Sequence, residues 1–253
     1  MFRMKRQIPN FITILNLLFG CLAITNAFEG ELYISAIYLI FASVCDFLDG
    51  FAARALKVSN PLGEQLDSLA DMVAFGLAPG ILLYKFTQEL QAANPIKILA
   101  DYPELFYLSF MIPVFSAIRL AKFNIDTRQT SSFIGLPTPA NASFFLFPII
   151  IYHFPDLPKI IDVNFIVMPI YGNPLIMLGL GIIMSLLLIS EIPMCSLKFK
   201  NLKWKDNQQP FTFILIWTTL LIFTNINAIP ATVLIYVIFS IIHHYTSPNK
   251  IDC

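Results

Sequence analysis

Apolar stretches close to the thickness of a bilayer recur along this chain, and they restrict its fold more than any other feature. The runs 174–190 and 231–242 are almost purely apolar. A spanning helix needs roughly 20 such residues, with about 17 as the lower limit. Hydrophobic residues make up 57% of the 253 positions and charged residues 13%, against about 25% charged in a soluble domain. Mean hydropathy is +0.72. A soluble protein with buried helices would lack the charge to cover these runs. The expected fold is all-α, a polytopic transmembrane helix bundle.

Eight spanning helices are expected, over 11–28, 32–57, 62–86, 103–123, 138–154, 172–190, 210–226 and 229–245. Turn-forming residues separate them, such as Asn60-Pro61, Asn94-Pro95, Gly135-Leu136-Pro137 and Gly172-Asn173-Pro174. The turn near Asn227 is tight, so the last two form either an antiparallel hairpin or one irregular element. Residues 11–28 read as a retained first helix rather than a signal peptide, because the stretch is long and Asn16 interrupts it.

Charge sidedness supports this count. With the N-terminus inside, only Lys85, Lys97 and Lys159 of the sixteen lysines and arginines fall outside, as the positive-inside rule requires. The expected setting is the cell (cytoplasmic) membrane, with both termini in the cytoplasm. Residues 198–205 (KFKNLKWK) read either as a plain inside-positive loop or as a patch on anionic head groups. Net charge is zero, which leaves no footprint for nucleic acid. The four cysteines have no paired spacing, so neither a disulfide framework nor a zinc site follows.

Charged residues inside spanning helices are costly and mark function. Here Asp46, Asp49 and Arg54 sit in the inner half of the second helix, and Glu64, Asp67 and Asp71 open the third. Asp46 and Asp49 are three apart, while Asp67 and Asp71 are four apart, so each pair shares a helix face. Two antiparallel helices can therefore aim four carboxylates at one point. Such a group needs a cation to remain ionised, and oxygen-only ligation favours Mg²⁺ or Mn²⁺. An ion of this kind that bridges phosphate oxygens assists phosphoryl transfer. Gly50, Ala53 and Gly63 leave room for a bulky ligand, and Arg54 can pair with a phosphate. A network that only glues helices would need fewer charges.

The segment 46–71, DFLDGFAARALKVSNPLGEQLDSLAD, matches D-x2-D-G-x2-A-R-x8-G-x3-D-x3-D at every fixed position. In this it resembles the CDP-alcohol phosphotransferase family. The resemblance implies a six-helix core, a single catalytic domain over the chain (core about 8–200, with an extra hairpin at about 210–245) and a homodimer. It implies Asp46, Asp49, Asp67 and Asp71 as metal ligands, with Asp71 as the base. Gly50, Ala53, Arg54 and Gly63 would shape the pocket for the CDP group. Asn10 and Thr13, in the family's Pro-Asn-x-x-Thr pattern, would reach the diphosphate, or else cap the first helix.

Segments 66–84, 117–124 and 133–142 are similar to the serine-using branch, the membrane-embedded phosphatidylserine synthases. Residues 190–194 also resemble that branch, with Glu191 where asparagine is commoner. The implied reaction takes CDP-diacylglycerol and L-serine to phosphatidylserine and CMP. Serine is a zwitterion and needs a cation for its carboxylate. Arg119, Lys122 and Asn124, with the rigid turn at Pro137 and Thr138, are the acceptor-binding candidates. Arg119 and Lys122 read equally as inside-positive anchors. Glycerol 3-phosphate or inositol phosphate is the alternative acceptor. An ion-coupled transporter is the alternative class, against which the one-sided acidic cluster speaks.

Overall fold

In the computed structural model, which describes residues 2–58, 61–126, 133–194 and 208–246, the chain is a bundle of apolar helices. Helices α1 (Phe2–Glu29) and α2 (Leu32–Leu56) form an antiparallel pair around the turn at Gly30. The third long element is continuous from Pro61 to Ala93. It consists of α3 (Pro61–Asp71), a π-helical stretch (Met72–Leu77) and α4 (Ala78–Ala93). The short α5 (Lys97–Asp101) and a 3₁₀ segment (Pro103–Phe110) lead into α6 (Met111–Ile125). Then follow α7 (Thr138–His153), α8 (Asn164–Tyr171), α9 (Pro174–Leu188), α10 (Gln208–Thr224) and α11 (Ala228–Thr246).

These elements occupy the eight expected places, but not all as full crossings. Five stretches are long and apolar enough to span, and a sixth counts if α8 and α9, bent by 83°, are taken together. Helices α7 and α9 have 16 and 15 residues, about 22–24 Å at 1.5 Å per residue, short of a hydrocarbon core of about 30 Å. Prolines and Asn173 cut them down. The Asn173 side chain accepts from the backbone N–H groups of Leu175 and Ile176 at 3.0 and 3.2 Å, so α9 starts there. Near the other end of the chain, the rings of Phe213 and Tyr236 lie 5.6 Å apart. A straight helix would separate those residues by about 35 Å. Residues 211–242 therefore fold back near Asn225 (φ 54°) rather than running straight.

The core lies around α4. Ala78, Leu82, Leu83, Phe86 and Leu90 are all buried there. Close approach depends on small residues, as is usual between membrane helices. A Cβ on Gly80 would stand 2.6 Å from the Pro113 ring, and one on Gly181 would stand 2.8 Å from Leu83. Large apolar side chains such as Phe11, Phe47, Phe51 and Phe165 point outward, as a lipid-facing surface requires.

A two-residue ladder, β1 (Phe133–Ile134) with β2 (Pro193–Met194), clips the segment before α7 to the segment after α9. Gly135 follows at φ +77°, its N–H donating to Ile192 O at 2.8 Å. The basic segment 198–205, Arg128 and the chain end beyond 246 lie outside the described residues.

The clip gives a stability test. In a Gly135→Ala variant the new Cβ would meet Leu188 O at 2.6 Å at a left-handed φ. That conformation alone costs about 1–2 kcal/mol for a residue with a side chain. The melting temperature in detergent should fall by about 3 °C or more, and an unchanged midpoint would contradict the clip.

Candidate active site

Helix α2 turns Asp46 and Asp49 to one face, and α3 opposes them with Asp67. One oxygen from each of the three carboxylates lies within 4.8 Å of the others. Three ionised groups at that spacing would repel by about 3 kcal/mol per pair at an effective dielectric of about 20. Among the described residues, no lysine or arginine forms an ion pair with them. Asp67 Oδ1 is buried without a hydrogen-bond partner. Uncompensated, such an arrangement is unfavourable. An all-oxygen donor set with an orphaned buried oxygen fits a hard divalent cation.

A cleft of about 210 Å³ opens beside this triad. Its walls include Asn10, Thr13, Asp49, Gly50, Ala53, Gly63 and Asp67, so most of the expected nucleotide and diphosphate residues meet there, joined by Val58 and Glu64. Arg54 is not among the lining residues, but its Nη1 lies 3.6 Å from the point a Cβ on Gly50 would occupy. Thr13 Oγ1 donates to Asp49 Oδ2 at 2.6 Å. The alternative reading of Asn10 and Thr13 as helix caps is corrected, because α1 already runs from Phe2. The helix continues through Pro9, which has no N–H to donate.

Asp71 stands one turn beyond Asp67, outside the close triad. It opens on a second cavity of about 200 Å³ together with Arg119, Leu120, Phe123, Pro137, Thr138 and Pro139. The clip described above sets this cavity. Leu136 N–H donates to Leu187 O at 3.0 Å, and Leu136 O accepts from Arg119 Nε at 3.2 Å. Arg119 is 5% exposed, and its guanidinium lies 5.5 Å from the Phe123 ring centroid. A buried guanidinium facing a carboxylate across a small cavity suits a small acidic or zwitterionic ligand.

Of the other acceptor candidates, Lys122 lines a third cavity with Arg119, Asp126 and Glu191. Its Nζ is 4.0 Å from Glu191 Oε1, with both side chains more than half exposed, a weak pairing. Asn124 lines none of these cavities. It accepts from Ser68 Oγ at 3.1 Å and ties α6 to α3. Sequence reasoning missed Asn16, whose Nδ2 donates to Asp71 Oδ1 at 3.4 Å. The signal was an amide interrupting an apolar run, three residues after Thr13 on the same helical face.

Residues 6–172 match the CDP-alcohol phosphatidyltransferase family model. The chain belongs to that family. It is 31% identical, over 92% of its length and 89% of the relative's, to a CDP-diacylglycerol–serine O-phosphatidyltransferase of Helicobacter pylori. A Bacillus subtilis protein of the same name is 35% identical over 52% of this chain and 69% of its own. An archaetidylserine synthase of Methanothermobacter thermautotrophicus is 30% identical over 55% and 58%. The matched region contains every residue that lines the cleft beside the triad and the cavity of Asp71.

Two substitutions check this geometry. Asp46→Asn should weaken Mn²⁺ binding, measured by titration calorimetry, at least about tenfold. Asn124→Ala should leave the acceptor KM within about twofold, since Asn124 lines none of the cavities described above. A larger rise would place it in the acceptor site.

Proposed function

We propose that this multi-pass membrane protein transfers a phosphatidyl group from CDP-diacylglycerol to L-serine, releasing CMP. The observation that carries the reading is the pairing of two cavities across α3. One holds a carboxylate triad beside glycines and a threonine. The other is lined by the Asp71 carboxylate and a single buried arginine.

In this reading the diphosphate lies in the first cleft, with the cytidine end among Gly50, Ala53, Arg54 and Gly63 and the lipid tails leaving between helices. Asn10 and Thr13 contribute polar contacts from α1. Asp46, Asp49 and Asp67 would hold Mg²⁺ or Mn²⁺, with Asp71 adjacent as the fourth ligand that the family pattern implies. When bound, the ion supplies charge screening for the diphosphate and for the departing CMP.

Serine occupies the second cavity, its carboxylate on Arg119 and its hydroxyl at Asp71. The turn at Pro137 and Thr138 closes the other side. Asp71 takes the hydroxyl proton as the serine oxygen attacks the phosphorus that bears diacylglycerol. The phosphorus–oxygen bond to CMP breaks, and CMP leaves with the electron pair. In-line attack needs no covalent enzyme intermediate. The active site is assigned to the cytoplasmic face, with both termini on that side, and the functional unit to a homodimer.

Acceptor choice follows from cation number. A phosphorylated acceptor such as glycerol 3-phosphate or inositol phosphate would want two or three basic groups converging on it. Among the described residues that line the cavity of Asp71, Arg119 alone is basic. A single carboxylate is the better match.

Purified protein given CDP-diacylglycerol and labelled acceptors should convert serine, and glycerol 3-phosphate and inositol phosphate poorly or not at all. Preferential use of either phosphate would overturn the assignment. Chelation should stop CMP release, and added Mn²⁺ or Mg²⁺ should restore it. Asp71→Asn should lower kcat by about 10²–10⁴-fold, the usual worth of a general base. Arg119→Met should raise the serine KM at least about tenfold while the KM for CDP-diacylglycerol stays put.

A further inference from the structure

We propose that Asn16 is a positioning residue for Asp71, holding its carboxylate toward the acceptor cavity. The inference rests on the reading of Asp71 as the base.

One face of α1 runs along the site at the helical spacing Thr13, Asn16, Gly20. Each of the three meets a different part of the catalytic helices. Thr13 donates to Asp49. Asn16 donates to Asp71. Gly20 packs on the backbone just beyond, where a Cβ would stand 3.0 Å from Ala74 Cα and 3.2 Å from its nitrogen. A side chain there would push the two helices apart by a few tenths of an ångström. The crossing at Gly20 and Ala74 brings α1 near enough for a side chain one turn away to reach Asp71.

Asn16 is 0% exposed. Its Nδ2 has Asp71 Oδ1 as its partner, and its Oδ1 is buried with none. A buried amide with a hydrogen bond on only one of its two polar atoms is a poor choice for stability, where an apolar side chain of similar size would pack at no such loss. The position is better explained by what the amide does to its one partner. An amide donor is neutral, so it fixes one carboxylate oxygen without adding charge to a crowded acidic site. Asp71 lines the cavity shared with Arg119 and Thr138, and with one oxygen held by Asn16 the other is available to the acceptor. At 3.4 Å the bond is long, as is common where a catalytic contact tightens only with substrate in place.

This predicts a separation between stability and turnover that a structural asparagine would not give. In the full-length protein purified in detergent, Asn16→Leu should melt no lower than the parent. Its KM for CDP-diacylglycerol should stay within twofold, while kcat falls at least tenfold. Asn16→Ala, smaller and free of any fitting problem, should show the same fall in kcat. Because Asn16 acts through Asp71, the double variant Asn16→Leu/Asp71→Asn should be no slower than Asp71→Asn alone. A kcat within twofold of the parent in either single variant would overturn the proposal. So would a drop in kcat that tracks a loss of melting temperature, or losses that multiply in the double variant. Asp71→Asn measured alone keeps the two readings apart. If it turns over normally, the assignment of the base fails. If it is inactive while Asn16→Leu is fully active, the positioning role alone fails.

Discussion

Mutual repulsion among carboxylates inside an apolar bundle is the constraint around which this structure is organised. Asp46, Asp49 and Asp67 converge to within 4.8 Å in helices whose other faces meet lipid. Nothing about that arrangement is favourable for packing alone. The helices stay together because apolar contacts elsewhere hold them. The buried stack on α4 and the close crossings at Gly80, Gly181 and Gly20 fix the frame, and the frame forces the acidic groups to share a site. Such a site suits positive charge, and in the proposed function a divalent cation would supply it.

The continuous element from Pro61 to Ala93 serves both purposes. Its first turns carry Asp67 and Asp71, and its last turns carry the core residues Leu82, Phe86 and Leu90. The π-helical stretch Met72–Leu77 lies directly after Asp71. One extra residue in the turn shifts the helical phase, so the acidic face and the core face need not lie on one straight stripe. Insertions of this kind inside α-helices often sit at functional sites. Helix α1 then spans both halves of the site, bonding to Asp49 and Asp71 within a single turn.

Much of the bundle was legible because its signals are local. Apolar length, breakers such as Asn94-Pro95, and the three- and four-residue spacing of the aspartates all act within one or two turns. After 210 a tight polar turn left either a hairpin or one irregular element open in the sequence, and the Phe213–Tyr236 contact shows that the chain folds back there. Features that depend on tertiary contact were not legible. The π stretch has no composition of its own. Helix α8 and its bend reflect packing around Pro169 and Asn173 rather than periodicity. The ladder of β1 and β2 joins residues about sixty apart. Asn124 looked like a polar end to α6, yet its partner Ser68 lies on another helix. Asp71 was grouped with the other aspartates by spacing, and only the three-dimensional arrangement turns it toward Arg119.

The central claim is that the triad from two neighbouring helices is a metal site. Anomalous diffraction from crystals grown with Mn²⁺ and a CDP-lipid tests it most directly. The account predicts a strong anomalous peak in coordination contact with Asp46, Asp49 and Asp67, with the diphosphate on its open side. A structure with the CDP-lipid bound and no manganese among those three carboxylates would contradict it.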